Sequence, residues 1–216
     1  MTTVTLLGST GSPYARKVRA LLLERSIPFD WVEAAVPTLQ NMGGGTQWTW
    51  KVEDPAKLTA LNPLGKLPVL LHDGQAWFDS RVICEYVDRV IVQRPAPQRA
   101  SSSVHALADV LCDQVSTHNA LKRRLLANEA ACAADAALTT SYVSDLLAAL
   151  EGVDVDSDAS TQLSTPLIAL HVALAYLDFR LPALDWRSFA PKLAVLFASN
   201  ANRPSLAATH FPGESI

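Results

Sequence analysis

Two rhythms of apolar residues divide this chain. Up to residue 92 short apolar runs alternate with helical spacings, and from Ser101 onward only the helical spacing remains. Thr3 to Leu7 reads as a buried strand, Gly8-Ser9-Thr10-Gly11 as a turn, and Ser12 followed by Pro13 as a helix start. Serine caps free N–H groups at such a position, and proline suits the first helical residue because it has no N–H to satisfy. Ala15, Val18, Leu21 and Leu22 follow at helical spacing, and Phe29 to Glu33 reads as a second strand. Residues 3–33 therefore form a βαβ unit, whose two strands should run parallel.

Residues 36–53, with Gly43-Gly44-Gly45 ahead of Trp48 and Trp50, show no period and read as a loop. A short helix covers Pro55 to Leu61 and stops before Asn62-Pro63, since the residue preceding a proline disfavours helix. Leu67 to Leu71 and Gln75 to Phe78 read as strands around Asp73-Gly74, a type I′ hairpin signal, so this pair is antiparallel. A helix opens at Asp79 or Ser80, with Val82, Ile83, Tyr86, Val87 and Val90 on its inner side. Pro95 and Pro97 mark 93–99 as a linker.

Helices are then expected over 102–126, 135–150, 164–180 and 188–200. The third is apolar nearly all round, through Leu163, Leu167, Leu170, Leu174 and Leu177 with Ile168 and Val172, as befits the buried centre of a bundle. The expected organisation is an α/β domain of order βαβαββα at 1–92, the linker 93–99, and an all-α helical bundle at 100–216.

Composition narrows the function. The chain has 216 residues, 49% of them hydrophobic, enough for two small domains with real cores. Its net charge of -3 comes with no basic stripe, which argues against nucleic acid as a partner. The one tight basic run, Lys122-Arg123-Arg124, falls near a helix end, where the dipole favours cations. The longest apolar stretch, Pro166 to Leu177, is shorter than the roughly 20 residues that span a bilayer, and no signal region opens the chain. No membrane and a cytoplasmic location are therefore expected. Cys84, Cys112 and Cys132 have neither metal nor redox spacing and read as reduced, structural thiols.

Three short pieces at element junctions carry the chemistry. Ser12 sits where a helix presents unpaired N–H groups and the positive end of its dipole; it is either an N-cap alone or a hydroxyl that stabilises a bound thiolate, with Arg16 and Arg19 adding positive potential. Leu67-Pro68 opens a strand; if its bond is cis, Leu67 can turn its own N–H and C=O towards an extended ligand. Asp79-Ser80 can cap a helix, or can hold an ammonium through Asp79 and a carboxylate through Ser80 and the helix N–H groups.

Taken together, three stretches resemble the thioredoxin-like N-terminal domain of the cytosolic glutathione S-transferase superfamily. They are Ser12-Pro13-Tyr14-Ala15-Arg16-Lys17-Val18-Arg19, then Leu61-Asn62-Pro63-Leu64-Gly65-Lys66-Leu67-Pro68-Val69-Leu70, then Phe78-Asp79-Ser80. In the second half Tyr176-Leu177-Asp178-Phe179-Arg180 and Arg203-Pro204-Ser205 resemble bacterial members. The resemblance covers the chain apart from 36–53. It implies a serine-type enzyme in which Ser12 activates the glutathione thiol, Leu67 pairs with the cysteinyl unit ahead of a cis Pro68, and Asp79 and Ser80 hold the γ-glutamyl head.

The same resemblance implies a homodimer that detoxifies electrophilic or apolar small molecules by glutathione transfer, with no metal. The acceptor would lie between the first domain and the early helices of the second, walled by Tyr14 and residues such as His118. Trp48 and Trp50 either line that pocket or pack the loop down, and Gln47 and Lys51 are candidate contacts to the glycyl carboxylate. Two other readings stand beside transfer: a non-catalytic glutathione- or partner-binding module, and a glutathione-dependent isomerase or dehalogenase.

Departures from the family pattern qualify this. Relatives that exchange disulfides carry cysteine where this chain has Ser12, so that step has no nucleophile here. Many relatives carry Glu where this chain has Asp79, which shortens the reach to the head group by one carbon. At Ser164-Thr165-Pro166-Leu167 the usual helix-opening acid is replaced by Leu167, while the serine cap and the proline remain. Asp154, Asp156 and Asp158 lack the glycine and glutamate of a calcium loop and read as a polar linker. His105, His118 and His171 read as core or rim residues, with His118 also a candidate for the acceptor cleft.

Overall fold

The computed structural model describes residues 3–34, 55–96, 99–124, 129–153 and 162–213. Trp48, Trp50, Gln47, Lys51 and the 36–53 loop lie outside the described residues, as do Asp154, Asp156 and Asp158. The chain forms two compact units, Met1–Ala96 with Ala207–Pro212, and Pro97–Leu206 with Gly213–Ile216. Residues 207–212 thus join the first unit, whereas the sequence expectation placed all of 100–216 in the helical one.

The first unit is a four-stranded sheet in the order β2-β1-β3-β4, formed by β1 (Val4–Gly8), β2 (Phe29–Glu33), β3 (Val69–His72) and β4 (Gln75–Trp77). β1 pairs parallel with β2 and antiparallel with β3, and β3 pairs antiparallel with β4. The β3–β4 turn places Asp73 and Gly74 at φ 52° and 72°, the left-handed pair that a type I′ hairpin requires. Helix α1 (Pro13–Glu24) buries Ala15, Val18, Leu21 and Leu22 as its spacing predicts. It packs on α3 (Ser80–Tyr86), which contributes Ile83 and Cys84 to the core. Helix α2 (Pro55–Leu61) adds Leu58 to a cluster with Leu7 and Val69.

The inner face of α3 is narrower than its sequence suggests. Ile83, Tyr86 and Val87 are buried, but Val82 and Val90 are exposed. Val82 lies about 100° around the helix from Ile83. After Tyr86 the helix widens into a π-turn, Val87–Ile91, whose longer repeat breaks the helical spacing that would have carried Val90 inward. Asp88 of that turn accepts from the Arg25 Nε at 2.7 Å, tying the end of α1 to the end of α3.

The second unit is helical throughout: α4 (Arg99–Arg124), α5 (Glu129–Glu151), α6 (Thr165–Arg180), α7 (Trp186–Phe189), α8 (Pro191–Asn200) and α9 (Pro204–Ala207). α4 begins inside the expected 93–99 linker, and α5 begins six residues before the expected 135, because an alanine-rich stretch sustains helix. The single helix expected over 188–200 is divided at Ala190, where Pro191 starts a new one. α6 is buried from Thr165 to Leu177 and packs on α4, the central position its composition predicts. Ser164 caps it, accepting from the Leu167 N–H at 3.4 Å. Among the described residues no helix is long and apolar enough to cross a membrane.

Candidate active site

Strand register gathers the three pieces at one edge of the sheet. Leu7 of β1 lies opposite Val69, so the end of β1 adjoins the start of β3. Leu70 lies opposite Trp77, which brings the end of β4 to that same edge. The segments leading to Ser12, from Leu67-Pro68, and into Asp79-Ser80 therefore leave the sheet side by side. Stretches far apart in sequence share one rim because two antiparallel pairings fold them there.

Ser12 is the N-cap of α1, with extended backbone and its Oγ accepting from the Ala15 N–H at 3.3 Å. The N-cap reading is thus realised. It does not exclude the other: capping uses an oxygen lone pair, and the hydroxyl hydrogen remains able to donate. Donor and dipole point to negative charge at the same place.

The Leu67–Pro68 bond is cis, the isomer that sequence alone left open. Among the described residues the Leu67 main chain makes no hydrogen bond, since the ladder begins only at Val69. An extended ligand laid beside it would find one donor and one acceptor.

Asp79 is the N-cap of α3, and its Oδ1 accepts from the Arg81 N–H at 2.9 Å and the Val82 N–H at 3.3 Å. The carboxylate is exposed, while Ser80 behind it is 5% exposed. Among the described residues no partner meets the Ser80 hydroxyl. The first-turn N–H groups of α3 already have an anion, which is the carboxylate of Asp79 itself.

Comparison with known proteins bears on what this rim is. A family model for the glutathione S-transferase N-terminal domain matches residues 11–90, a span that holds all five of these residues. The uncharacterized GST-like protein YibF of Escherichia coli is 31% identical over 217 residues, covering 96% of this chain and 98% of that one. The chain belongs to the glutathione S-transferase superfamily. A glutathione S-transferase from Methylobacterium radiotolerans, solved with glutathione sulfonate, superposes at a TM-score of 0.78 with 28% identity over 100% of this chain and 98% of its own. A family member from Pseudomonas fluorescens, solved with glutathione, superposes at 0.77 with 30% identity over 97% and 100%.

Within this superfamily fold, the two arginines expected to add positive potential lie against aromatic rings. Arg16 is fully buried, its guanidinium 4.4 Å from the centre of the Phe211 ring. Arg19 lies 4.5 Å over the Trp31 ring; burial lowers its pKa from the ordinary value, and the charge of Glu33 opposes that shift. Helical spacing cannot reveal these aromatic faces. Tyr14 is half-buried on the first turn of α1, and His118 is buried on α4 in the other unit.

One residue at the rim had no signal in the sequence. Glu33 ends β2 opposite Gly8, and its carboxylate reaches the turn that carries Ser12. A glutamate closing a strand is ordinary, and only the fold shows what it meets.

Proposed function

We propose that the protein is a serine-type glutathione transferase, in which the Ser12 hydroxyl stabilises the glutathione thiolate for attack on an electrophilic small molecule. The observation that carries this is the state of Ser12: capping through a lone pair at the positive end of α1, with its hydrogen left to donate. Leu67 would pair its main chain with the cysteinyl unit, and Asp79 and Ser80 would receive the ammonium and carboxylate of the γ-glutamyl head. Solved relatives at 28% and 30% identity hold glutathione sulfonate and glutathione, which supports the choice of ligand. The hydroxyl lowers the thiol pKa and forms no covalent bond itself. A homodimer, a cytoplasmic location and a detoxifying role belong to the same proposal.

A second reading, a glutathione-binding module without transfer, is favoured by one observation. Asp79 Oδ1 holds the Arg81 and Val82 N–H groups that a ligand carboxylate would otherwise take. Calorimetric titration with glutathione, with a thiolate ultraviolet difference spectrum for wild type and Ser12→Ala, separates the two. Binding with a thiolate band that fades in the variant supports transfer, and binding without the band supports the module. No binding at millimolar glutathione overturns both.

A further inference from the structure

The turn between β1 and α1 is held from below by a bracket on β2. Glu33 Oε1 accepts from the Thr10 N–H at 3.0 Å and from the Thr10 hydroxyl at 3.3 Å. Its other oxygen accepts from the Trp31 indole N–H at 3.1 Å. Trp31 in turn lies beneath the Arg19 guanidinium of α1. Its ring also fills the space beside Gly8: a Cβ added there would meet the indole at 2.8 Å and the Ala15 Cβ at 2.7 Å.

These contacts converge on the segment that carries Ser12. Gly8 pairs with Glu33 in the ladder, the Ala34 N–H returns to the Gly8 carbonyl at 2.7 Å, and the Ser12 N–H closes the turn onto Ser9 at 3.0 Å. One carboxylate therefore holds the middle of a four-residue turn through a main-chain N–H and a hydroxyl, while its second oxygen is fixed by an indole locked under a cation. A charged acceptor strengthens each of these bonds. Thr10 is two residues from Ser12, so displacement of the turn displaces the cap.

We infer that Glu33 is a positioning residue for Ser12: through Thr10 it sets where the Ser12 hydroxyl stands at the end of α1, and Trp31 and Arg19 hold Glu33 in place. The inference rests on the glutathione reading for its chemical consequence, whereas the hold on the turn is a property of the protein alone. Glu33 leads to the hydroxyl at the thiol, whereas the proposed head-group residues, Asp79 and Ser80, stand at the start of α3. Its loss should separate thiol activation from ligand affinity.

The test uses the full chain and two readouts. In Glu33→Ala, amide hydrogen exchange at Thr10 and Ser12 without ligand should quicken about tenfold, with Leu21 and Leu22 of α1 unchanged. The same variant should bind glutathione within about twofold of wild type, while its thiolate band at neutral pH falls about threefold or more. Glu33→Gln keeps an oxygen for Thr10 but turns an NH2 towards the indole N–H, so its band should be intermediate; adding Trp31→Phe removes that repulsion together with the indole's hold and should raise the band without reaching wild type. That pair carries the test should Glu33→Ala not fold. In a Ser12→Ala background Glu33→Ala should remove no further thiolate, because both act through one hydroxyl.

Unchanged exchange at Thr10 and Ser12 overturns the bracket. Quickened exchange with an undiminished band overturns Glu33 as a positioning residue for Ser12. A wild type with no thiolate band overturns the transfer reading and the chemical role of Glu33 with it, while the exchange measurement still decides whether Glu33 holds the turn.

Discussion

The Arg16 guanidinium of α1 lies 4.4 Å from the centre of the Phe211 ring, and both side chains are shut away from solvent. A buried cation that finds an aromatic face gains about 2 kcal/mol, and burial of the ring adds more. The contact lies within the first unit and ties Phe211, of the 207–212 segment, to the helix that Ser12 caps. Phe211→Ala should cost about 3–5 kcal/mol in urea unfolding. Phe211→Leu, which keeps apolar volume without a ring face, should cost about 2 kcal/mol or less. A Phe211→Leu variant as stable as wild type would mean that the ring face contributes nothing.

Capping and thiol chemistry at Ser12 are separable by substitution. Ser12→Ala should lose about 1 kcal/mol of stability, the usual value of a cap. Ser12→Asp keeps an oxygen for the Ala15 N–H and should unfold within about 0.5 kcal/mol of wild type. Its negative charge opposes a thiolate, so the thiolate band of bound glutathione should vanish. An aspartate variant that retained the band would remove Ser12 from the proposed chemistry.

Asp79 invites the reverse exchange. Aspartate is a favoured N-cap and glutamate is not, so Asp79→Glu should cost about 0.5–1 kcal/mol as the bonds to Arg81 and Val82 weaken. The same change frees those N–H groups and extends the charge by one carbon. Glutathione should then bind about threefold to tenfold more tightly by calorimetry, the range of one ordinary hydrogen bond. Weaker binding would show that Asp79 already meets the ligand.

In the second unit Asp178 of α6 serves two donors of unequal worth. It accepts from the Trp186 indole N–H at 2.8 Å and from both ends of the Arg187 fork at 2.8 and 2.6 Å. Trp186 is fully buried, and the Arg187 side chain is 46% exposed. Asp178→Ala orphans a buried donor and should cost about 1–3 kcal/mol. Arg187→Ala removes a solvent-screened pair and should cost about 1 kcal/mol or less by chemical denaturation. The reverse order would place the stability in the ion pair.

Local signals account for what was legible beforehand. Caps, prolines and a two-residue turn act over three or four neighbours, so Ser12, Pro13, Asp73-Gly74, Asp79 and Ser164 announced their elements. The five residues of the candidate rim were named from the same junctions, helped by the family resemblance that their motifs carry. Features that depend on phase were less legible: Val90 left the core because a π-turn changed the helical repeat, and Pro191 cut a helix that its apolar spacing ran together.

By itself the sequence determined the order of elements in the first unit, the parallel sense of β1 and β2, the antiparallel sense of β3 and β4, the buried course of α6 and the residues at the candidate junctions. These follow from propensity and period, which are local properties of a chain. Tertiary structure alone decided which partners the long and charged side chains took: Arg16 on Phe211, Arg19 on Trp31, and Glu33 on Thr10. No local pattern encodes those choices, because a flexible cation or carboxylate settles on whichever ring or donor the packed core brings within reach.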